Sequence, residues 1–170
     1  MIETSLVRPF GISTEKHKQY WIDADVTVLI CQRKTKDLIQ LCLESLFRFY
    51  PDIPVLVVDG DSQDDSSQYL KVMDGLYPNL KVWVRPNPTD GFSSHGITMH
   101  EAITDHITTK WVLAMDSDII IERGGFLEQM IPNLADDMFG YGTLMLTSRQ
   151  NFANGAPLHE NDVLPYAHPS

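Results

Sequence analysis

The sequence predicts an α/β fold: a mostly parallel sheet flanked by helices on both faces. Short apolar, β-branched runs recur along the chain as strands. Between them lie amphipathic stretches of roughly ten to fifteen residues with apolar positions at three-and-four spacing. Two of the strands run straight into acidic residues, at 59–64 and at 116–118. Alternation of this kind implies right-handed βαβ units and a largely parallel sheet. In such sheets ligands bind beyond the carboxyl ends of the strands.

Residues 1–25 are aperiodic, with Pro9, Gly11, Tyr20 and Trp21, and read as an arm with room for one short edge strand. Residues 26–31, VTVLIC, form the first strand. After the polar loop Gln32-Arg33-Lys34, Thr35 reads as the N-cap of a helix reaching Tyr50. Leu38, Ile39, Cys42, Leu43, Leu46, Phe47 and Tyr50 form its apolar face, and Pro51 and Pro54 stop it.

Residues 54–58, PVLVV, are the second strand and end at Asp59-Gly60-Asp61-Ser62-Gln63-Asp64. Asp64 or Asp65 caps a helix to about Asp74. Residues 80–84 are a third strand, 85–91 a loop, and a helix starts near Ser94. The fourth strand, 111–115, has the continuous apolar character of a strand buried on both faces. Gly124-Gly125 opens a helix from Phe126 to about Leu134, residues 141–146 form a last strand, and no reliable element is visible from Arg149 on.

The end of the fourth strand carries the clearest chemistry. If residues 116–118 continue extended, Asp116 and Asp118 share a face roughly 6–7 Å apart. At an effective dielectric near 20 they repel by roughly 2–3 kcal/mol. A divalent cation with oxygen ligands offsets that cost. A bare D-x-D is more often a strand end followed by a turn cap. A second acidic strand end, at Asp59, favours the ligand-binding reading.

The chain has 170 residues and a formal net charge of −10, so nucleic acid and anionic membranes are poor partners. A phosphate ligand then implies a bridging metal. Cys31 and Cys42 lack metal spacing and form no disulfide framework. No signal peptide or membrane-length apolar run is visible, and the expected compartment is the cytoplasm.

From residue 26 to 146 the chain resembles the nucleotide-diphospho-sugar glycosyltransferases of the GT-A fold, in particular family 2. The resemblance rests on Cys42-Leu43-Glu44-Ser45-Leu46 in the first helix and on Asp59, Ser62 and Asp64 in a D-D-G-S-x-D-like turn. Asn87 and Gly91 in the following loop, and the D-x-D of Asp116 and Asp118, complete it. Asp61 departs from the pattern, standing where the family often has glycine.

The resemblance implies a metal-dependent transferase moving a sugar from a UDP- or GDP-linked donor to a hydroxyl acceptor (glycan, lipid or protein), with inversion. It implies that residues 26–148 form the nucleotide-sugar-binding domain and 149–170 a C-terminal loop segment. Asp59 would bond the base or ribose, beside a base pocket lined by Cys31, Gln32 and Arg33, with Ser62 and Ser117 also on the nucleotide. Asp118 would ligate Mn2+ or Mg2+, with Asp116 on the ribose or on the metal through water. His95 and Gly91 would lie near the sugar and pyrophosphate. Glu160 or Asp162 is the candidate base, and His159 or His168 a candidate third metal ligand. A non-catalytic or truncated nucleotide-sugar-binding domain is the alternative. A haloacid-dehalogenase-type phosphatase is disfavoured because its D-x-D ends the first strand, and a Rossmann dehydrogenase because no glycine-rich turn follows residues 26–31.

Overall fold

The computed structural model describes residues 15–86, 92–136, 144–148 and 163–167. They divide between two compact units, residues 1–124 and 125–170. The first unit holds a four-stranded parallel sheet in the order β3-β2-β1-β4. Its strands are β1 (Val26–Gln32), β2 (Val55–Asp59), β3 (Leu80–Val84) and β4 (Trp111–Asp116). Its helices are α1 (Glu15–Ala24), α2 (Lys36–Phe49), α3 (Asp65–Leu76) and α4 (Phe92–His106).

Strand alternation divides the core into two layers. Leu29, Leu56 and Val58 face Ala102 and Met99 of α4, with Trp83, Ile107 and Val112 at the margin. Val28, Ile30 and Val57 alternate with them and are fully buried, as are Ile39, Leu43, Leu46 and Phe47 of α2. Phe47 stacks on Tyr77 at 4.6 Å, joining α2 to the end of α3. Burying side chains of this size contributes roughly 1.5–3 kcal/mol each.

Several sequence expectations need correction. Residues 15–24 are a helix, not an arm with an edge strand. Its Trp21 is buried edge-on against Tyr50, with ring centroids 5.5 Å apart. Leu38, assigned to the buried face of α2, is 44% exposed, whereas the polar Ser45 is buried. Strand β4 is not buried on both faces: within the described sheet it is an edge strand and only half-buried. An apolar run reads alike in either position, because the sequence does not say how many neighbours a strand has. Helix α4 begins two residues before Ser94.

In the second unit, α5 (Phe126–Met130) gives way to a 3-10 turn at Ile131–Asn133, so the helix expected to Leu134 is shorter. Gly125 precedes it with φ +93°, a left-handed conformation suited to glycine. The strand expected at 141–146 is β5 (Leu144–Ser148), and it pairs antiparallel with β6 (Val163–Ala167), which lies where no element was expected. No helix among the described residues is long and apolar enough to cross a membrane.

Candidate functional site

Parallel register brings the expected loops to one rim. Strand β1 lies between β2 and β4, with Gln32 opposite Asp59 and Cys31 opposite Asp116. Asp59 and Asp116 therefore flank the carboxyl end of the central strand, roughly 10 Å apart at two strand spacings. The loops after β1, β2 and β4 meet there.

On the β2 side, Asp59 is fully buried. One carboxyl oxygen accepts from Gln32 Nε2 at 2.7 Å, from Ser62 N at 3.3 Å and from Ser62 Oγ. The other accepts from Ser67 Oγ at 2.7 Å. Ser62 Oγ also accepts from Lys34 N at 2.8 Å, so the β1–α2 loop is tied to the β2–α3 loop. Gln32 Oε1 in turn accepts from Thr35 Oγ1 at 3.0 Å. Thr35 occupies the N-cap position but its hydroxyl makes no capping bond. At the start of α3, Asp64 does cap, accepting from Ser66 N at 3.0 Å. The Ser66 hydroxyl bond, with help from Lys34, holds the Asp64 carboxyl below its ordinary range.

The loop backbone is turned to make this possible. Lys34, Asp61 and Gln63 all take positive φ, at 56°, 54° and 53°. Gly60 lies under the aliphatic stem of Arg33, and a Cβ there would stand 3.4 Å from Arg33 Cβ and Cδ. Asp61, the departure from the family pattern, is thus a non-glycine residue in a left-handed conformation.

On the β4 side the chain leaves the strand at once. Ile119 N donates to Asp116 O at 3.2 Å, so residues 117–118 form a turn. The expectation that Asp116 and Asp118 share a face of extended chain is therefore corrected: the turn sets their separation. Both side chains are exposed, and among the described residues neither has a hydrogen-bond or ion-pair partner. Thr35 Oγ1 lies 3.5 Å from Ser117 Oγ, a long contact linking this turn to the Asp59 network. Burial and Asp116 push the Cys31 thiol up to about 11. Burial, with Asp118 and Asp116, pushes Cys42 up to about 12, so both thiols stay protonated at neutral pH.

Hollows open on this rim among the described residues. One of about 450 Å³ is lined by Arg33, Lys34, Asp61, Ser62, Gln63 and Asp64, mixing basic side chains with acidic ones. A second of about 150 Å³ is lined by Cys31, Gln32, Arg33, Val58, His95, Thr98 and Ser117. His95 is exposed at the start of α4 and overlooks this second hollow. His106 packs against Trp83, with ring centroids 4.3 Å apart, and His100 is exposed.

The structure thus brings together Cys31, Gln32, Arg33, Asp59, Ser62, His95, Asp116, Ser117 and Asp118. Gly91, His159, Glu160, Asp162 and His168, with Asn87, lie outside the described residues. Sequence reasoning missed Ser67 and Thr98; it placed Thr35 at the N-cap, as found, but not its hydroxyl bond to Gln32. Ser45, polar on an apolar helix face, was visible only as part of the family pattern.

For a metal, Asp116 and Asp118 offer hard carboxylate oxygens, the donor type that Mg2+ and Mn2+ take. No group of three or more His, Cys, Asp or Glu converges among the described residues. Two exposed carboxylates fit an ion whose remaining positions are filled by ligand oxygens and water.

Comparison with known proteins bears on the fold and the family. A mannosyltransferase from Pyrobaculum calidifontis, in complex with GDP-Man and Mn2+, superimposes with a TM-score of 0.57 at 18% identity, over 86% of this chain and 41% of its own. At that identity the likeness shows the fold. S. aureus TarS (residues 1–349) matches with a TM-score of 0.43 and 23% identity over 55% of this chain and 27% of its own. The chain thus spans well under two thirds of either structure. No curated protein matches in sequence. The family model described as glycosyl transferase family 2 matches residues 25–161. That match covers most of the chain, including every strand of the parallel sheet and both acidic loops: the chain belongs to glycosyl transferase family 2.

Proposed function

We propose that this domain is a metal-dependent glycosyltransferase, moving a sugar from a UDP- or GDP-linked donor to a hydroxyl acceptor with inversion. The observation that carries the reading is the rim itself. A family 2 sheet ends in an exposed pair of carboxylates, Asp116 and Asp118, without side-chain partners among the described residues, beside a hollow walled by Gln32, Arg33, His95 and Ser117. The mannosyltransferase of the same fold is in complex with a nucleotide sugar and Mn2+, which supports the same ligand class here.

In this reading Asp118 holds Mn2+ or Mg2+, with Asp116 on the metal through water or on the ribose. When bound, such an ion stabilises the charge left on the departing nucleoside diphosphate. Cys31, Gln32 and Arg33 line the base side, and Arg33 and Lys34 bring positive charge to an acidic chain. Asp59 already accepts four hydrogen bonds from its neighbours, so it shapes the pocket wall. It reaches a base or ribose only if Ser67 or Gln32 yields its place. His95 and Gly91 serve the sugar and pyrophosphate. Glu160 or Asp162 takes the acceptor proton, and a carboxylate of ordinary pKa suffices because the proton moves as the bond forms. His159 is a further ligand for the metal.

Calorimetry with UDP and GDP, with and without Mn2+, tests this. Metal-dependent binding of one nucleotide is expected, and its absence for both overturns the reading. Binding without donor hydrolysis or transfer would assign a nucleotide-sugar-binding domain instead.

A further inference from the structure

Helix α2 and its N-cap residue Thr35 contact the segment 116–121 through Thr35, Cys42 and Ser45. Thr35, Cys42 and Ser45 are spaced by seven and three residues, close to whole turns. Ser45 Oγ donates to Cys42 O at 2.9 Å, which leaves its lone pairs to accept from Ile121 N, also at 2.9 Å. Cys42 Sγ lies 3.7 Å from Asp116 O. Thr35 Oγ1 stands near Ser117 Oγ at 3.5 Å.

The two stronger contacts bracket the turn. Asp116 O marks its entry and Ile121 N its exit, with Asp118 between them. Ile121 is buried, so its N–H has no water to turn to and depends on Ser45. Ser45 is itself buried among apolar neighbours, where a hydroxyl is unfavourable unless it is bonded. The carboxylates are exposed while the backbone that carries them is anchored from below.

We propose that Ser45, assisted by Cys42, is a positioning residue for the acidic turn: α2 holds the 116–121 backbone so that Asp116 and Asp118 are set at a fixed spacing before a cation and diphosphate arrive. The functional part of this rests on the reading of that turn as the metal–diphosphate site. Groups that bind an ion with small tolerance gain most from such support, because ordering the ligands beforehand removes that cost from binding.

The test uses the full chain as parent, Ser45→Ala, Ser45→Thr and the core control Leu46→Val on the same helix. Two quantities are read: amide exchange at residues 117–121 without metal, and the gain in UDP or GDP affinity on adding Mn2+. Ser45→Ala is expected to speed exchange at Ile121 about tenfold relative to the rest of the sheet. It is also expected to cut the manganese gain about fivefold while leaving metal-free nucleotide affinity within about twofold. Ser45→Thr restores both quantities. Leu46→Val lowers Tm but moves neither. Unchanged exchange in Ser45→Ala overturns the proposal, as does a loss of manganese gain that Leu46→Val matches at equal loss of Tm. If the parent itself shows no manganese gain, the functional reading fails and the exchange result alone decides whether α2 anchors the turn. Should Ser45→Ala not fold, Cys42→Ala against Cys42→Ser reads the same two quantities at the Asp116 end.

Discussion

Strands β2 and β4 both end in aspartate at the same rim, and the two aspartates lead opposite lives. Asp59 ends an interior strand, is fully buried and accepts from Gln32, Ser62 and Ser67. Asp116 ends a strand at the edge of the described sheet and is exposed, with Asp118 two residues beyond it, also exposed and without a side-chain partner among the described residues. A buried carboxyl must be compensated by donors from the protein, and here the neighbouring loops supply them. An exposed one is compensated by water, which a ligand can replace. The first acid is bound up with the shape of the loops; the second pair is left open to a ligand.

The comparison breaks most clearly at Asp59. Asp59→Ala takes the acceptor from the buried Gln32 amide and Ser62 hydroxyl and from the half-buried Ser67 hydroxyl. A loss of about 3 kcal/mol or more is expected in urea denaturation. A loss under about 1 kcal/mol would mean that the network is ornamental and that Asp59 is free to serve a ligand directly. The counterpart is Asp118→Asn, which removes an exposed charge. Its stability should stay within about 0.5 kcal/mol of the parent, while Mn2+-dependent nucleotide affinity falls at least about tenfold. A stability loss equal to that of Asp59→Ala would erase the distinction between the two strand ends.

A smaller effect sharpens the same contrast through pH. The carboxyl of Asp64, which caps α3, is held below its ordinary range chiefly by the Ser66 hydroxyl. A carboxyl whose folded pKa is depressed lends stability above its unfolded value, and that contribution is lost as pH falls through the folded one. Stability should therefore decline on the acid limb, below the ordinary aspartate value. Asp64→Asn, which caps without titrating, should flatten part of that decline in urea midpoints taken from about pH 6 to about pH 3. An unchanged acid limb would show that the cap carries no share of it.

Much of the first unit was legible because local pattern and burial agree there. The β-branched runs of β1 and β2, the three-and-four spacing of α2 and the turn residues at 59–64 each specify one element without reference to a distant neighbour. Helix α1 was not legible, since it carries no apolar stripe and is held through Trp21. Strand β6, VLPYA, was missed because a proline in the middle of a five-residue run reads against a strand. At the candidate site, residue types and order pointed to the loops that the sheet brings to one rim. They did not reveal that Asp59 would be enclosed, that residues 117–118 would turn, or that Ser45 would reach Ile121.

By itself, the order of residues determined that acidic loops follow apolar strands in alternation with helices, and hence that a parallel sheet would carry them to one rim. Periodicity and chain connectivity act over a few residues and need no partner. Only the tertiary structure decided which acid is buried and which is open, because that depends on what each strand has beside it and which side chains arrive from elsewhere. Gln32 comes from another strand, Ser67 from a helix start and Ser45 from the middle of α2. Burial and hydrogen bonding are properties of such assemblies, and no local stretch of sequence encodes them alone.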